Sequence, residues 1–261
     1  MYRDPMPADI VWTTAFLDFT PSSHETGVAF WSAVTGYTRS PSRGHHDEFA
    51  TLVPDGGDAF LRVQRLAEGA DRIHLDLHVA DPASATRQAA GCGAAVVMAS
   101  SDGHVVLTSP AGLVFCFVPD PGGVGIGGRR PPPARWGAHT SLVDQVCIDV
   151  PRAAAEQEAR FWTEVTGWPP HRTSSAPEFR PLVRPSGMPL RLMVQAVGDE
   201  RQPATAHLDL ACDDRAAETR RHVDLGARVR DVTGRFTVLL DPTGSAYCIT
   251  DRDPATGLTA G

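Results

Sequence analysis

The sequence predicts an α+β protein made of four βαβββ modules, arranged as two similar domains with curled mixed sheets. Three observations support this fold class. The chain has 261 residues, which suits two modest hydrophobic cores better than one. Apolar positions switch between a period of two and a period of 3.6 in the same order in each half. Short motifs also return after about 130 residues, which indicates a duplication.

The duplication is visible as motifs that keep both their order and their spacing. Three motifs recur at offsets of 131 to 133 residues: F-W-x-x-V-T-G from Phe30 and Phe161, H-L-D-L from His74 and His207, and P-x-G from Pro110 and Pro242. Between the copies, residues 121–138 are rich in Gly and Pro and show no apolar period. We therefore predict an N-terminal domain at 1–120, a linker at 121–138, a C-terminal domain at 139–253 and a tail at 254–261.

In the first copy, each element follows from a periodic segment and its flanking residues. We predict strands at 11–19, 49–53, 60–66, 73–79, 94–98, 104–108 and 114–118. A capping box at Ser22-x-x-Glu25 predicts a helix that ends at Gly36. A second helix is predicted with Asp81 as its cap, Pro82 as its first residue and Gly91 as its end.

The second copy follows the same plan. We predict strands at 143–150, 179–183, 190–197, 205–211, 227–232, 236–240 and 246–250. One helix runs through Phe161 to Gly167, and another spans 213–225 and ends at Gly226. The segments 109–112 and 241–244 have Pro second and Gly fourth, as type I turns do, and each joins the last two strands of its copy.

Charge and composition exclude several classes of function. The net charge is −7, and all 24 basic residues are arginine because the sequence contains no lysine. A Schiff-base or lysine general-base mechanism is therefore impossible. The dispersed arginines form no basic patch for nucleic acid or for an anionic membrane. We expect a small-molecule partner, and neither nucleic acid nor membrane.

The termini and cysteines indicate a reducing compartment. Residues 1–7 contain an acid and two prolines where a signal peptide needs an apolar helix. No segment approaches the ~18 apolar residues of a membrane span. The five cysteines are odd in number and include no C-x-x-C pair, so we expect reduced, mostly buried thiols. We expect a cytoplasmic protein.

Four recurring features give the sequence a family resemblance. They are the F-W-x-x-V-T-G helix end, a Gln before the H-L-D-L strand, a G-A pair after the second helix, and a proline and glycine turn before the last strand. Together they resemble the glyoxalase-like branch of the vicinal-oxygen-chelate superfamily, which includes glyoxalase I, bleomycin-resistance proteins and extradiol dioxygenases. The resemblance implies paired modules that curl around a cleft for a small ligand. One fold of this kind hosts many chemistries.

The resemblance also implies where a metal would be bound. Metal-dependent members place His or Gln on the first strand, His on the first strand of the second module, and Glu on the final strand. Here His74 and His207 match the second position, whereas Val114 and Ala246 match the Glu position by the turn alignment. The first-strand position falls near Thr14 in one copy and at Asp144 or Gln145 in the other. With one or two ligands in each copy, we expect no metal cofactor, and a divalent metal is the alternative.

Two His/Asp pairs are the candidate catalytic residues. Alternation along a strand places His74 with Asp76, and His207 with Asp209, on one face and the leucines on the other. Each histidine would act as a general base or donor that the aspartate orients. Alternatively, the aspartate only fixes the histidine through a structural hydrogen bond.

Other side chains are candidates for ligand contacts. Gln64 and Gln195 would supply amide contacts from the preceding strand, or they are ordinary exposed strand residues. Trp31 and Trp162 would stack on a planar ligand, or they pack in the core. The remaining histidines lie in loops and on polar helix faces without metal-ligand spacing, and we expect them at the surface; they include His24, His45, His46, His139, His171 and His222.

These observations leave three functions open. The first is a metal-independent protein that binds a small aromatic or amphipathic molecule. The second is a lyase, isomerase or cyclase that uses His/Asp acid–base chemistry, and the third is a divalent-metal glyoxalase or dioxygenase. No G-x-S-x-G elbow is present, and the glycines of 122–128 precede no helix that would bind phosphate. The tandem chain is expected to be a monomer or a homodimer.

Overall fold

The computed structural model describes residues 8–120, 128–172, 176–198 and 203–259. Residues 121–127 of the predicted linker lie outside this part of the chain. In the first copy the elements are β1 Ile10–Phe19, α1 His24–Thr35, β2 Thr38–Arg39, β3 Phe49–Val53, β4 Leu61–Arg65, β5 Arg72–Val79, α2 Pro82–Gly91, β6 Ala95–Ala99, β7 Val105–Thr108 and β8 Val114–Pro119. The order is βαβββ twice, as predicted.

The second copy repeats this order with three differences. Its elements are β9 Ala134–Trp136, β10 His139–Pro151, α3 Ala155–Thr166, β11 Phe179–Pro181, β12 Arg191–Val197, β13 Thr205–Cys212, α4 Arg215–Asp224, β14 Arg228–Val232, β15 Phe236–Leu240 and β16 Ala246–Thr250. No described strand between α3 and β11 corresponds to β2. Strand β9 lies within the predicted linker, and it pairs with the first residues of β10. A short 3-10 helix, Arg152–Ala154, precedes α3.

Each copy forms one mixed sheet. The first has the strand order β2-β3-β4-β1-β5-β8-β7-β6, and the second has β11-β12-β10-β13-β16-β15-β14 with β9 beside β10. Strands β5 and β8 are parallel, as are β13 and β16, whereas the hairpins within the modules are antiparallel. This arrangement confirms the predicted α+β class with mixed sheets.

Contacts between Cα atoms divide the chain into two compact units. Unit 1 contains the described residues within 1–15, 74–129 and 147–206, and unit 2 contains those within 16–73, 130–146 and 207–261. Each unit therefore combines the second module of one copy with the first module of the other. The boundaries predicted from the sequence, 1–120 and 139–253, follow the two copies and stay a prediction.

The two units have equivalent aromatic cores. In unit 1 the ring of Phe115 on β8 meets Phe161 and Trp162 of α3 edge-on, with centroids 5.9 and 5.2 Å apart. In unit 2, Tyr247 on β16 meets Phe30 and Trp31 of α1 at 5.9 and 5.2 Å. The recurring F-W motif therefore presents its rings to the same strand position in each unit.

Helix ends and turns mostly follow the predictions. Gly36 and Gly167 end α1 and α3 in the left-handed conformation, with φ of 74° and 69°. Asp81 caps α2 by accepting a hydrogen bond from the Ser84 amide. The amides of Gly112 and Gly244 donate to the carbonyls of the residues three before them, which closes both predicted turns.

One local prediction about a helix end is wrong. The capping box does not form, because α1 begins at His24 and the Ser22 hydroxyl bonds to Thr20 instead of the helix. The Glu25 carboxylate accepts from Arg39, a tertiary partner that local sequence does not reveal. Helix α2 ends at Gly91, as predicted, and the left-handed residue that follows it is Gly93, with φ of 107°. Within the described residues, no helix is long and apolar enough to cross a membrane.

Candidate functional site

The parallel pairing of β5 with β8 builds a polar face in unit 1. Asp76 lies opposite Cys116 in the register, while Leu75 lies opposite Phe115. Because Phe115 packs on α3, the leucines face the helix, and the alternating residues face the other side. His74, Asp76 and Cys116 thus share one face, here called the first polar face.

The donor atoms of the first polar face converge. One atom each of His74, Asp76 and Cys116 lie within 4.8 Å of one another, and His74 Nε2 is 3.7 Å from Asp76 Oδ1. All three residues are buried. Further along β5, His78 Nε2 is hydrogen-bonded at 3.0 Å to Thr14 Oγ1 on β1. His78 was not a candidate, although its position four residues after His74 places it on the same face.

Strands β13 and β16 build the equivalent face in unit 2. Asp209 lies opposite Cys248, and Leu210 lies opposite Ile249. His207 Nε2 is 3.3 Å from Asp209 Oδ1 and 3.6 Å from Cys248 Sγ. These three residues form the second polar face, and their donor atoms also lie within 4.8 Å of one another.

The second polar face keeps its carboxylate ionised. Gln145 Nε2 donates to Asp209 Oδ2 at 2.6 Å, and Arg252 lies 3.7 Å from the same oxygen. Burial by itself would raise the pKa of Asp209. The interactions with His207, the charge of Arg252 and the Gln145 hydrogen bond outweigh burial and hold this pKa below its ordinary value. Arg252 also pairs with Asp144 at 2.7 Å.

Apolar side chains flank both polar faces. Val106 on β7 lies directly opposite Cys116, and Val238 on β15 lies directly opposite Cys248. Directly opposed residues of antiparallel strands point to the same side of the sheet. Each cluster of polar donors therefore has an apolar neighbour at the same strand position, which suits a ligand with both a polar and an apolar part.

The two glutamine candidates occupy equivalent strand positions. Gln64, in unit 2, lies on β4 opposite Phe49, and Gln195, in unit 1, lies on β12 opposite Phe179. Both are half-buried. The Gln195 amide oxygen accepts a hydrogen bond from Cys147 Sγ at 3.1 Å. Ligand contacts by either amide stay a prediction.

The two tryptophan candidates are part of the cores. Trp162 Nε1 donates to Glu158 Oε1 at 2.8 Å, and Trp31 Nε1 donates to Asp241 Oδ2 at 3.1 Å. The exposed fraction of each residue is 2 % or less. These contacts favour the packing interpretation of both rings over stacking on a ligand.

Three histidines expected at the surface are buried. His222 is fully buried, and His24 and His139 are 4 % and 8 % exposed. The expectation was wrong for all three. His139 and His222 are buried because both pair with a buried carboxylate, Glu218, at 2.8 and 3.0 Å, and His24 packs edge-on against Phe19. His222 follows Glu218 by one helical turn, and that spacing was the available signal.

The donors do not match the divalent-metal set that the resemblance implies. Neither β8 nor β16 contains an acidic residue that could balance a hard cation, and the residue that each strand contributes to its polar face is a cysteine. The aspartates instead follow the histidines on the same strand. A manganese-type ion would therefore face one imidazole, one carboxylate and a soft thiol, and these residues do not fit it.

A depression on the surface of unit 1 lies away from the first polar face. It measures about 500 Å³ and is lined by Pro110, Ala111, Gly112, Pro151, Ala153, Ala154, Gln157 and Pro203. Its lining contains no ionisable side chain. The polar faces are therefore the better candidates for chemistry.

Sequence comparison gives one family. The profile described as "Glyoxalase-like domain" matches the chain twice, at residues 15–118 and 145–250. No curated protein sequence matches the chain.

Solved structures with the same fold cover nearly the whole chain. A Mn(II)-bound glyoxalase from Novosphingobium aromaticivorans has a TM-score of 0.67 and 17% identity, with 97% of this chain and 85% of that chain covered. The 2,2',3-trihydroxybiphenyl 1,2-dioxygenase from Sphingomonas wittichii has a TM-score of 0.59 and 16% identity, with 91% and 88% covered. The 2,3-dioxygenase LapB from Pseudomonas has a TM-score of 0.60 and 15% identity, with 94% and 93% covered. At these identities the likeness shows the fold alone.

Proposed function

Because this chain belongs to the glyoxalase-like domain family of the vicinal-oxygen-chelate superfamily and carries the domain twice, we propose that it binds a small aromatic or amphipathic molecule. The polar faces are the binding surfaces, and no manganese-type ion takes part. The observation that carries this proposal is the arrangement of a buried His, Asp and Cys beside an opposed valine, which recurs in both units. A cytoplasmic, monomeric or homodimeric protein is part of the same proposal.

A buried polar cluster of this kind can recognise a ligand through hydrogen bonds. A histidine can donate to or accept from a hydroxyl or carbonyl group, and the neighbouring aspartate orients the imidazole. The apolar neighbours contribute affinity through burial of the ligand's ring or chain. This combination favours a phenol, a hydroxylated ring or a polar-headed apolar molecule over a highly charged one.

Thermal stabilisation tests the proposal. A panel of hydroxylated aromatic acids and phenols is added to the chelator-treated protein, and unfolding is followed by intrinsic fluorescence. A compound present at about 100 times its Kd stabilises the fold by about 2.7 kcal/mol, or roughly 5–10 °C. His74→Ala with His207→Ala should abolish the shift, whereas the matched control His45→Ala, at an exposed histidine, should keep it.

The proposal fails if no member of the panel shifts the unfolding temperature. It also fails if the shift survives in the His74→Ala, His207→Ala variant, or if it requires added Mn²⁺.

A second candidate function is acid–base catalysis on the bound molecule, as in a lyase, isomerase or cyclase. The specific observation is the second polar face, where the ionised Asp209 lies 3.3 Å from the imidazole of His207. In such an arrangement the imidazole takes or returns a proton on the substrate, and the carboxylate holds the ring in place. Proton NMR of the stabilising compound, incubated with the protein, detects product even when its mass does not change. Unchanged spectra with intact binding would reject catalysis and retain the binding function.

A further inference from the structure

Strand β6 exposes a run of apolar side chains at one end of the first sheet. Its five residues are all exposed, and the exposed fractions of Val96, Val97 and Met98 are 51, 61 and 49 %. Residues 88–101 contain no arginine, aspartate or glutamate. The outer side of an end strand offers backbone N–H and C=O groups to another strand, so an uncharged apolar end strand is a template for pairing with a second chain.

The duplication provides a direct comparison, because β14 is the equivalent strand of the second copy and lies at an end of its own sheet. Each strand follows a left-handed glycine, Gly93 with φ of 107° and Gly226 with φ of 105°. Both strands also contain a register shift between their second and fourth residues. The backbones of the two end strands therefore correspond residue by residue.

The side chains of these two end strands differ in charge. Where β14 has Arg228, Arg230 and Asp231, β6 has Ala95, Val97 and Met98. Charged side chains on an end strand oppose its pairing with another chain, because pairing would remove water from them. The remaining two sheet ends, β2 and β11, contain Arg39 and Arg180. Of the four sheet ends that the described residues form, β6 alone has no charged side chain.

The same difference selects the partner of β6. A strand that pairs with β6 must be uncharged at the contact, since an arginine or aspartate beside Val97 would lose water without gaining an ion partner. The β6 strand of a second copy meets this requirement, whereas β2, β11 and β14 do not. Two identical strands can pair antiparallel about a two-fold axis, and each contact is then made twice.

We propose that β6 is a dimer interface, at which the β6 strands of two copies of this chain pair antiparallel and join their first sheets. Val96, Val97 and Met98 of both copies supply the apolar contacts, and the backbone hydrogen bonds supply the affinity of a strand addition. The inference goes beyond the proposed function, because the first polar face lies on β5 and β8. A failure of ligand binding would leave the interface unaffected.

Sedimentation velocity of the full chain, from nanomolar to micromolar concentration, tests the interface. We expect a dimer that dissociates on dilution. Val97→Arg with Met98→Asp introduces the residues that β14 has at these positions, so it suits the backbone of an end strand. It places like charges close to the two-fold axis and should raise the dissociation constant of the dimer at least about tenfold. The matched control is Val232→Arg on β14, at a valine that is 64 % exposed, and it should leave the dissociation constant unchanged.

Hydrogen exchange of the wild-type chain tests the pairing of the backbone. The amides of residues 95–99 should exchange more slowly at micromolar concentration than after dilution. The amides of residues 228–232, on the equivalent strand, should exchange at the same rate in both conditions. Circular dichroism shows whether each variant is folded, and the wild-type exchange experiment does not depend on any variant.

Three results would overturn the inference. The first is a wild-type chain that stays monomeric over the whole concentration series, which is also the result expected if a different protein occupies β6. The second is a dimer that the folded Val97→Arg, Met98→Asp variant retains with an unchanged dissociation constant. The third is exchange of the amides of residues 95–99 that does not depend on protein concentration.

Discussion

The indole N–H groups of Trp31 and Trp162 both donate to a carboxylate, but the two carboxylates come from different positions in the copies. Trp162 donates to Glu158 on its own helix, and Trp31 donates to Asp241 in the turn before β16. At the position equivalent to Glu158, the other copy has Gly27, and at the position equivalent to Asp241 it has Ser109. A buried indole N–H requires an acceptor. Since Gly27 cannot provide one for Trp31, the carboxylate of Asp241 does so.

Asp241 should therefore be important for stability. Besides the Trp31 bond, its carboxylate accepts from the amides of Thr243 and Ser245, and the residue is 1 % exposed. Asp241→Ala leaves a buried donor without a partner, which costs about 1–3 kcal/mol. Urea unfolding measures this loss. The exposed Asp231→Ala is the control and should change stability by less than about 0.5 kcal/mol; equal effects of the two substitutions would contradict this role of Asp241.

Two helical glycines make a matched pair. A Cβ at Gly27 would clash with the ring of Phe19, whereas a Cβ at Gly91 would meet no atom within 4 Å. Gly27→Ala should destabilise by about 1–3 kcal/mol through overpacking. Gly91→Ala should stabilise by up to about 1 kcal/mol, because alanine loses less entropy in a helix. The same sign for both substitutions in urea unfolding would contradict the packing described for α1.

At the scale of elements, local signals were sufficient for most of the fold. The left-handed Gly36 and Gly167, the Asp81 cap and the two proline turns are set by residues adjacent in sequence, and the structure confirms them. Strand β9 was missed because Ala134–Trp136 is too short to show alternation and follows three prolines. It exists because it pairs with β10, which is a tertiary contact.

Only part of the candidate site could be predicted from the sequence, because the rest depends on a tertiary contact between strands. Alternation along one strand placed His74 with Asp76 on one face, and it placed His207 with Asp209 in the same way. The thiols come from strands about 40 residues later, and only the parallel register brings Cys116 and Cys248 opposite the aspartates. The alignment of the two turns had placed the last-strand ligand position at Val114 and Ala246, two residues before each cysteine.

Helix ends are also linked to the other copy within each unit. In unit 1, Gln88 Nε2 on α2 donates to the Glu164 carbonyl near the end of α3, at 2.9 Å. In unit 2 the equivalent residue, Arg221 on α4, donates to the carbonyls of Ala33 and Val34 near the end of α1, at 3.1 and 2.8 Å. These side chains satisfy carbonyls that a helix leaves without intrahelical partners.

At the scale of the whole molecule, the two units bury acids with opposite pKa shifts. In unit 2, burial opposes ionisation of Glu218, but hydrogen bonds from Arg221 and His222 outweigh it and hold its pKa well below the ordinary value of 4.5. Burial also lowers the pKa of His222. In unit 1, burial raises the pKa of Glu158 despite its hydrogen bonds.

These shifts predict how stability changes with pH. Both pKa values are lower in the folded chain than in the unfolded chain. As the pH falls through 6.5, the unfolded chain binds a proton at His222 before the folded chain does, and below 4.5 the same holds for Glu218. The folded state therefore loses stability on acidification. Glu158 acts oppositely, because its folded form binds a proton first. Glu218→Gln should therefore flatten the loss on acidification, and Glu158→Gln should steepen it. Urea midpoints between pH 7 and pH 4 measure both slopes, and parallel slopes for the two variants would contradict the assignment.

The polar faces are proposed as the surfaces on which this duplicated fold binds its ligand, without a manganese-type centre. The decisive measurement is a crystal structure of the chain with the most stabilising compound of the panel, grown with Mn²⁺ present. We predict density for the compound against His74 or His207 and no manganese anomalous signal beside either residue. A manganese ion coordinated at these histidines, or the compound bound away from both polar faces, would disprove the proposed binding mode.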